Sequence, residues 1–269
     1  MKKKRWPVIF LVLVSIFLLA PLFVTLIYSF ATSWTEIIPN GWTVAHYKTV
    51  LTMEAFWPSL FRGIIISVPA ILISGIVIIL TMFASVLYFP WVDKIVQSVC
   101  MLPHTLKGVI LALGVLALYA GADGILGNRI LMLIFVYCIS IFPYVYQGIR
   151  NNLEAINIKQ LVEAAEILGA SKLYAFIRVV VPNMISGMLV SALLSMSIIF
   201  SDYAIVKIIA GSRYLTSQQL LYNSRFLPGQ QASVMILFLF AMILLISGVS
   251  YYLKSKKERE VQIVVEENE

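Results

Sequence analysis

The sequence predicts an all-α polytopic membrane protein: six transmembrane helices, with one polar helical hairpin held outside the bilayer. Three observations carry that expectation. Of 269 residues, 61% are hydrophobic and only 12% charged, more apolar surface than a soluble fold can bury. The apolar residues gather in repeated runs of roughly 20, the length that crosses a bilayer. Lysine and arginine cluster beside those runs: Lys2, Lys3, Lys4 and Arg5 precede the first, and Lys254, Lys256, Lys257 and Arg259 follow the last. That placement reads the net charge of +7 as cytoplasmic anchoring, and no nucleic-acid partner is expected.

Span one covers about Val8 to Phe30. At about 1.5 Å per residue it reaches roughly 35 Å, enough to cross with some tilt. It resembles the start of a signal peptide, but its apolar stretch is too long and lacks a small-residue cleavage site, so it reads as an uncleaved span. Residues 31–61 carry Trp34, Trp42, Tyr47, Phe56 and Trp57 among polar residues, which suits a headgroup-level segment. Span two covers about Gly63 to Leu87, with Pro69 a potential kink. Span three, Ile95 to Tyr119, is broken by Leu102-Pro103-His104-Thr105-Leu106-Lys107-Gly108. Such a break survives at membrane depth only where protein or a water-filled cavity satisfies the backbone.

A glycine-rich loop fills 120–129, and no G-x-x-x-x-G-K-[ST] occurs anywhere. Span four covers about Ile130 to Gly148, with Pro143 near its end. Span five covers Asn183 to about Phe200, where Gly187 and several serines permit close helix approach. Span six covers about Ser233 to Leu253, followed by a solvated, poorly ordered tail. Cys100 and Cys138 both lie in apolar segments and read as packing residues, not a disulfide. No catalytic pairing of serine or cysteine with histidine and no metal-ligand spacing is present, so no enzyme is expected and no cofactor in this chain.

Six spans put both termini on one side. The larger share of the 20 lysines and arginines falls on the side that also holds Lys94, Arg150, Lys159, Lys172 and Arg178, which makes that side cytoplasmic. The outer side and third span keep Lys48, Lys107, Lys207, Arg62, Arg129, Arg213 and Arg225. The chain then reads as one domain, 1–269. Residues 1–62 hold the first span and an extracytoplasmic interfacial segment, 63–253 a five-span core, 150–182 the cytoplasmic hairpin and 254–269 the tail.

The hairpin is the one long polar interruption with a pattern. Leu161, Ala164, Ala165 and Leu168 recur at helical spacing and predict one apolar face, with Glu163 and Glu166 off it. Gly169 supplies the left-handed residue that stops the helix. The Ser171 hydroxyl is placed to cap a second short helix. Pro182 suits the first turn of the next helix, where its missing N–H costs nothing.

Glu163-Ala164-Ala165, Gly169-Ala170-Ser171, Phe176 and Pro182 resemble the E-A-A-x-x-x-G loop of ABC importer permeases. The resemblance is strongest over 150–190. It implies a coupling helix that docks on a cytoplasmic ATPase. Glu163 would be the polar anchor, Ala164 and Ala165 the close-packing face, Gly169 the turn, and Pro182 the joint to span five. An ordinary alanine-rich connector is the alternative. Trp42-Thr43-Val44-Ala45-His46-Tyr47 is similar to a W-T-x-x-x-Y stretch of the same permeases, or is a simple interfacial loop. The family places the break in span three near the translocation path; a purely structural kink is the other reading.

The resemblance further implies two cytoplasmic ATPase subunits that bind ATP and Mg, a second permease (a paralogue or a copy), an extracytoplasmic binding protein and residence in a bacterial cytoplasmic membrane. Residues 200–222, with Asp202-Tyr203 and Gly211 through Tyr222, are similar to the polyamine, opine and phosphonate branch, and to ferric-iron permeases. Ser201, Asp202 and Tyr203 are the substrate-pathway candidates. Asp202 reads as a contact for a cationic substrate, as a partner of Lys207 at an outer gate, or as a carboxylate just past the bilayer. An ion-gradient-driven secondary transporter would need paired ionisable groups mid-membrane and an inverted repeat. A membrane anchor without transport would need no docking hairpin.

Overall fold

The computed structural model describes residues 5–34, 39–89, 91–105, 108–125, 127–155 and 158–266. The chain divides into two compact units, Met1–Ser59 with Gln219–Met242, and Leu60–Gln218 with Ile243–Glu269.

The first unit opens with α1, Arg5–Phe30, which is apolar all round. No residue of its membrane-length window is buried. Strands β1, Ala31–Ser33, and β2, Asn40–Trp42, pair antiparallel, with Ala31 opposite Trp42 and Ser33 opposite Asn40. The aromatics expected at headgroup level are tied down locally. Tyr47, on α2 (Ala45–Leu51), shares a 2.7 Å hydrogen bond with the Ser29 hydroxyl, and its ring lies 4.9 Å from that of Phe30.

The second unit is built on α6, Arg129–Ala155. Leu133, Tyr137, Ile141, Val145, Ile149 and Leu153 are all buried and repeat every four residues. That stripe continues past Gly148, so α6 runs a further two turns beyond the end expected for span four. Around it lie α3, Phe56–Leu87, α4, Val92–Thr105, and α5, Gly108–Tyr119. Pro69 sits inside α3 without breaking it, and α3 begins a full turn or more before Gly63. The break in span three falls as expected: α4 and α5 meet at 91°. Leu106 and Lys107 of that break lie outside the described residues.

Beyond the hairpin, α9 covers Val181–Ser201 and α10 covers Ala204–Ala210. Next come α11, Ser217–Asn223, a 3-10 turn, Ser224–Phe226, and α12, Gly229–Glu266. Neither α10 nor α11 was expected, because seven residues are too few to show a helical period. α12 also outruns Leu253, the expected end of span six. α12 continues to Glu266 through a stretch free of glycine and proline and rich in good helix formers. Among the described residues, four helices are long and apolar enough to cross a membrane. The count reaches six if each of two bent pairs forms one span.

Candidate functional site

The hairpin begins with α7, Ile158–Ile167; Ile156 and Asn157 before it lie outside the described residues. Its inward face is carried by Ile158 and Val162, which are buried, with Leu161 and Ala165 half-buried beside them. The expected face of Leu161, Ala164, Ala165 and Leu168 is therefore half right. Ala164 is exposed, and Ile167 and Leu168 stand 85% and 88% exposed. Helical spacing identifies an apolar stripe but not which edge of it packs.

The turn closes as a Schellman motif. The Gly169 N–H donates to the Glu166 carbonyl at 2.9 Å and the Ala170 N–H to the Ala165 carbonyl at 3.0 Å. Gly169 takes φ +88°, where a side chain would be strained. The Ser171 hydroxyl accepts the Tyr174 N–H at 3.3 Å and caps α8, Lys172–Ala175. Glu163 is exposed on the outer side of α7. Glu166 reaches Lys172 across the turn at 4.0 Å.

Pro182 lies in the first turn of α9, as expected, but no break precedes it. From Lys172 the chain stays helical, passing through a π turn, Phe176–Val180, into α9. A proline N has no hydrogen to return to the preceding turn, and a π turn takes up that mismatch. The Asn183 side chain donates to the Val179 carbonyl at 2.8 Å. The bend comes later: Lys172–Ile185 and Gly187–Ser201 differ by 59°. Phe176 and Val180 are buried, and Phe176 lies 4.9 Å from the Phe83 ring of α3.

The substrate-pathway candidates lie at the far end of α9, about 30 Å from the hairpin by helical rise. The Ser201 hydroxyl donates to the Ser197 carbonyl at 2.6 Å. Asp202 ends α9, and its Oδ1 accepts the Ile205 N–H of α10 at 2.9 Å. Burial pushes its carboxyl above the usual carboxylate range, against the pull of the Ile205 and Ala204 N–H groups. The pair with Lys207 is not formed: Lys207 is exposed, and a carboxylate two residues before a helix caps that helix instead. Tyr203, half-buried, stands at the N-cap position of α10. Sequence reasoning missed Asp93, which pairs with Arg150 at 3.3 Å. It also missed the exposed Ile167, whose excess apolarity outside any span was its one signal.

The model of the "Binding-protein-dependent transport system inner membrane component" family matches residues 75–259, and the chain belongs to that family. It is therefore a permease subunit of an ABC importer and a multi-pass membrane protein. Among curated relatives, it is 23% identical over 265 residues to the putrescine transport system permease protein PotI of Escherichia coli K12, covering 96% of this chain and 94% of PotI. It is 25% identical over 187 residues to a Salmonella typhimurium LT2 protein, PhnV, that bears the name of a 2-aminoethylphosphonate transport system permease, covering 70% of each. A bacterial ABC transporter involved in the import of the acidic polysaccharide alginate contains a chain of like fold. Its TM-score is 0.69 at 15% identity, over 94% of this chain and 96% of that one. A bacterial alginate transporter in complex with an alginate pentasaccharide-bound periplasmic protein gives the same score over 94% and 95%.

Proposed function

We propose that the chain forms half of a translocation pathway driven by separate ATPase subunits, and that the 150–182 hairpin is where it takes up their motion. The observation that carries this reading is the hairpin's outer edge. Ala164, Ile167 and Leu168 are exposed while Ile158 and Val162 hold the opposite face against the core. Large apolar side chains exposed outside a span mark a surface that another protein covers. Glu163 on the same outer side is the polar anchor of the dock, and Gly169 and Ser171 set its turn.

In this reading, two ATPase subunits bind ATP and Mg and close on it. The hairpin follows, and Pro182 and the bent α9 carry the movement into the spans. A second permease completes the pathway, an extracytoplasmic binding protein delivers the solute, and both termini face the cytoplasm. The named relatives support a small charged solute, a polyamine or a phosphonate, with Ser201, Asp202 and Tyr203 on its path.

The test is uptake of putrescine and of 2-aminoethylphosphonate by membranes expressing the whole complex. Glu163→Lys and Gly169→Pro are expected to abolish ATP-dependent uptake while membrane insertion stays normal. Full uptake in both variants overturns the coupling role. Accumulation by this chain reconstituted alone overturns the reading altogether.

A further inference from the structure

The hairpin is braced on both of its legs, one against the first turn of α4 and the other against the connection between α3 and α4. On the incoming leg, Arg150 near the inner end of α6 pairs through Nη1 with Asp93 Oδ2 at 3.3 Å. The same Nη1 donates to the buried Tyr146 hydroxyl at 2.6 Å, and the guanidinium lies 5.9 Å from the Tyr146 ring. On the outgoing leg, the Lys172 ammonium lies 5.8 Å from the ring of Tyr88, just past α3.

Asp93 sits in the first turn of α4, where the helix dipole favours a carboxylate. The two side chains of the ion pair keep only 26% and 31% of their exposure. Water and salt therefore screen this pair less than a fully exposed one. The Tyr146 hydroxyl holds the guanidinium in the orientation the carboxylate needs. α4 is in turn the leading half of the broken span three, whose second half turns away at 91°.

We propose that Asp93 and Arg150 are positioning residues for transport: their pair makes α4 travel with the hairpin, so that motion received at the dock reaches the broken span directly and not only through α9. The inference rests on the hairpin being the ATPase-docking element. It adds a second route for the motion, through α4, that neither the E-A-A pattern nor the substrate candidates describe.

The test measures the distance between α4 and the hairpin in the whole complex, purified through this chain, without nucleotide and then trapped with ATP and vanadate. Spin labels go on the exposed Gln97 and Gln160, with Cys100 and Cys138 replaced by alanine. With Asp93 and Arg150 intact, the separation is expected to stay the same in both states, because the two elements move as one. In Asp93→Asn and in Arg150→Gln the distribution should broaden or shift on trapping, and Asp93→Glu should restore it. Melting temperature and ATPase recovery are followed in parallel.

A Gln97–Gln160 separation that changes on trapping with both residues intact overturns the clamp. So does a distribution that neither single variant alters, or one altered only in proportion to lost stability. Failure of the parent reading looks different. The ATPase then fails to purify with the unsubstituted chain, or purifies equally well with Gly169→Pro.

Discussion

Gly187 on α9 meets the side chain of Asn152 on α6 with no room for a Cβ between them. Asn152 is itself held, donating through Nδ2 to the Gly148 carbonyl at 2.6 Å. One turn further, the relationship reverses: Gly148 of α6 meets Ser191 of α9 as closely. Each helix thus contributes one glycine to a crossing where the other presents a polar side chain, the small-residue packing that membrane helices use. The crossing lies beside the 59° bend of α9, where hairpin and span join.

Gly187→Ala should therefore destabilise the protein by about 1–3 kcal/mol, the usual cost of overpacking a tight contact. Thermal unfolding in detergent measures it. Gly187→Ala combined with Asn152→Ala should recover part of that loss, because the second change removes the group the new methyl strikes. Additive losses would show that the two residues do not press on each other.

Gly169→Ala should cost about 1–2 kcal/mol, since the substitution forces an L side chain into the left-handed region. Ser171→Ala should cost about 1 kcal/mol through the lost cap, and Ser171→Asp should keep it. Both losses belong to the hairpin alone. Hydrogen exchange should report faster opening of 163–175 with the spans unchanged.

Ile167→Ser with Leu168→Ser should leave folding within about 0.5 kcal/mol of the unsubstituted protein, because neither side chain is buried. Recovery of the ATPase through a tag on this chain should nonetheless fall. Unchanged recovery would place the docking surface elsewhere.

Asp202 yields a pH prediction. Its carboxyl is pushed up by burial, so the folded chain holds this proton more tightly than the unfolded chain does. That stabilisation is complete below the unfolded carboxylate value of about 3.9 and is lost as pH rises through the higher folded value. Asp202→Asn keeps an acceptor for the Ile205 N–H and removes the charge, so it should gain stability relative to aspartate between pH 4 and neutrality. Asp202→Ala should lose about 1 kcal/mol with the cap. Unfolding midpoints of the three proteins across that range decide it. An aspartate–asparagine difference that does not vary with pH would contradict the buried carboxyl. In uptake assays, reduced transport by Asp202→Asn with normal assembly is expected if the carboxylate meets a cationic solute.

Much of this is legible in the sequence. Gly169 and Ser171 act on neighbours a few residues away, so their residue types alone predicted a left-handed stop and a cap. Pro103 and Gly108 marked the break in span three for the same reason. Pro182 was legible as a first-turn proline of α9, but the π turn that joins α9 to the hairpin without a break was not. Asp202 stayed open among three readings: α10 is too short to show a period, so its capping role was hidden.

The sequence by itself determined that this chain lives in a membrane, roughly which stretches are apolar enough to span it, and that one polar helix–turn–helix interrupts them. Those properties follow from transfer energies and local backbone chemistry, which are set within about 20 consecutive residues. Only the tertiary structure decided which edge of α7 packs, that α6 and α9 cross at Gly148 and Gly187, and that Asp93 finds Arg150. Helices such as α1 and α3 are apolar on every side, so their periodicity cannot separate a face turned to lipid from one turned to protein. That choice is made by contacts between residues far apart in the chain.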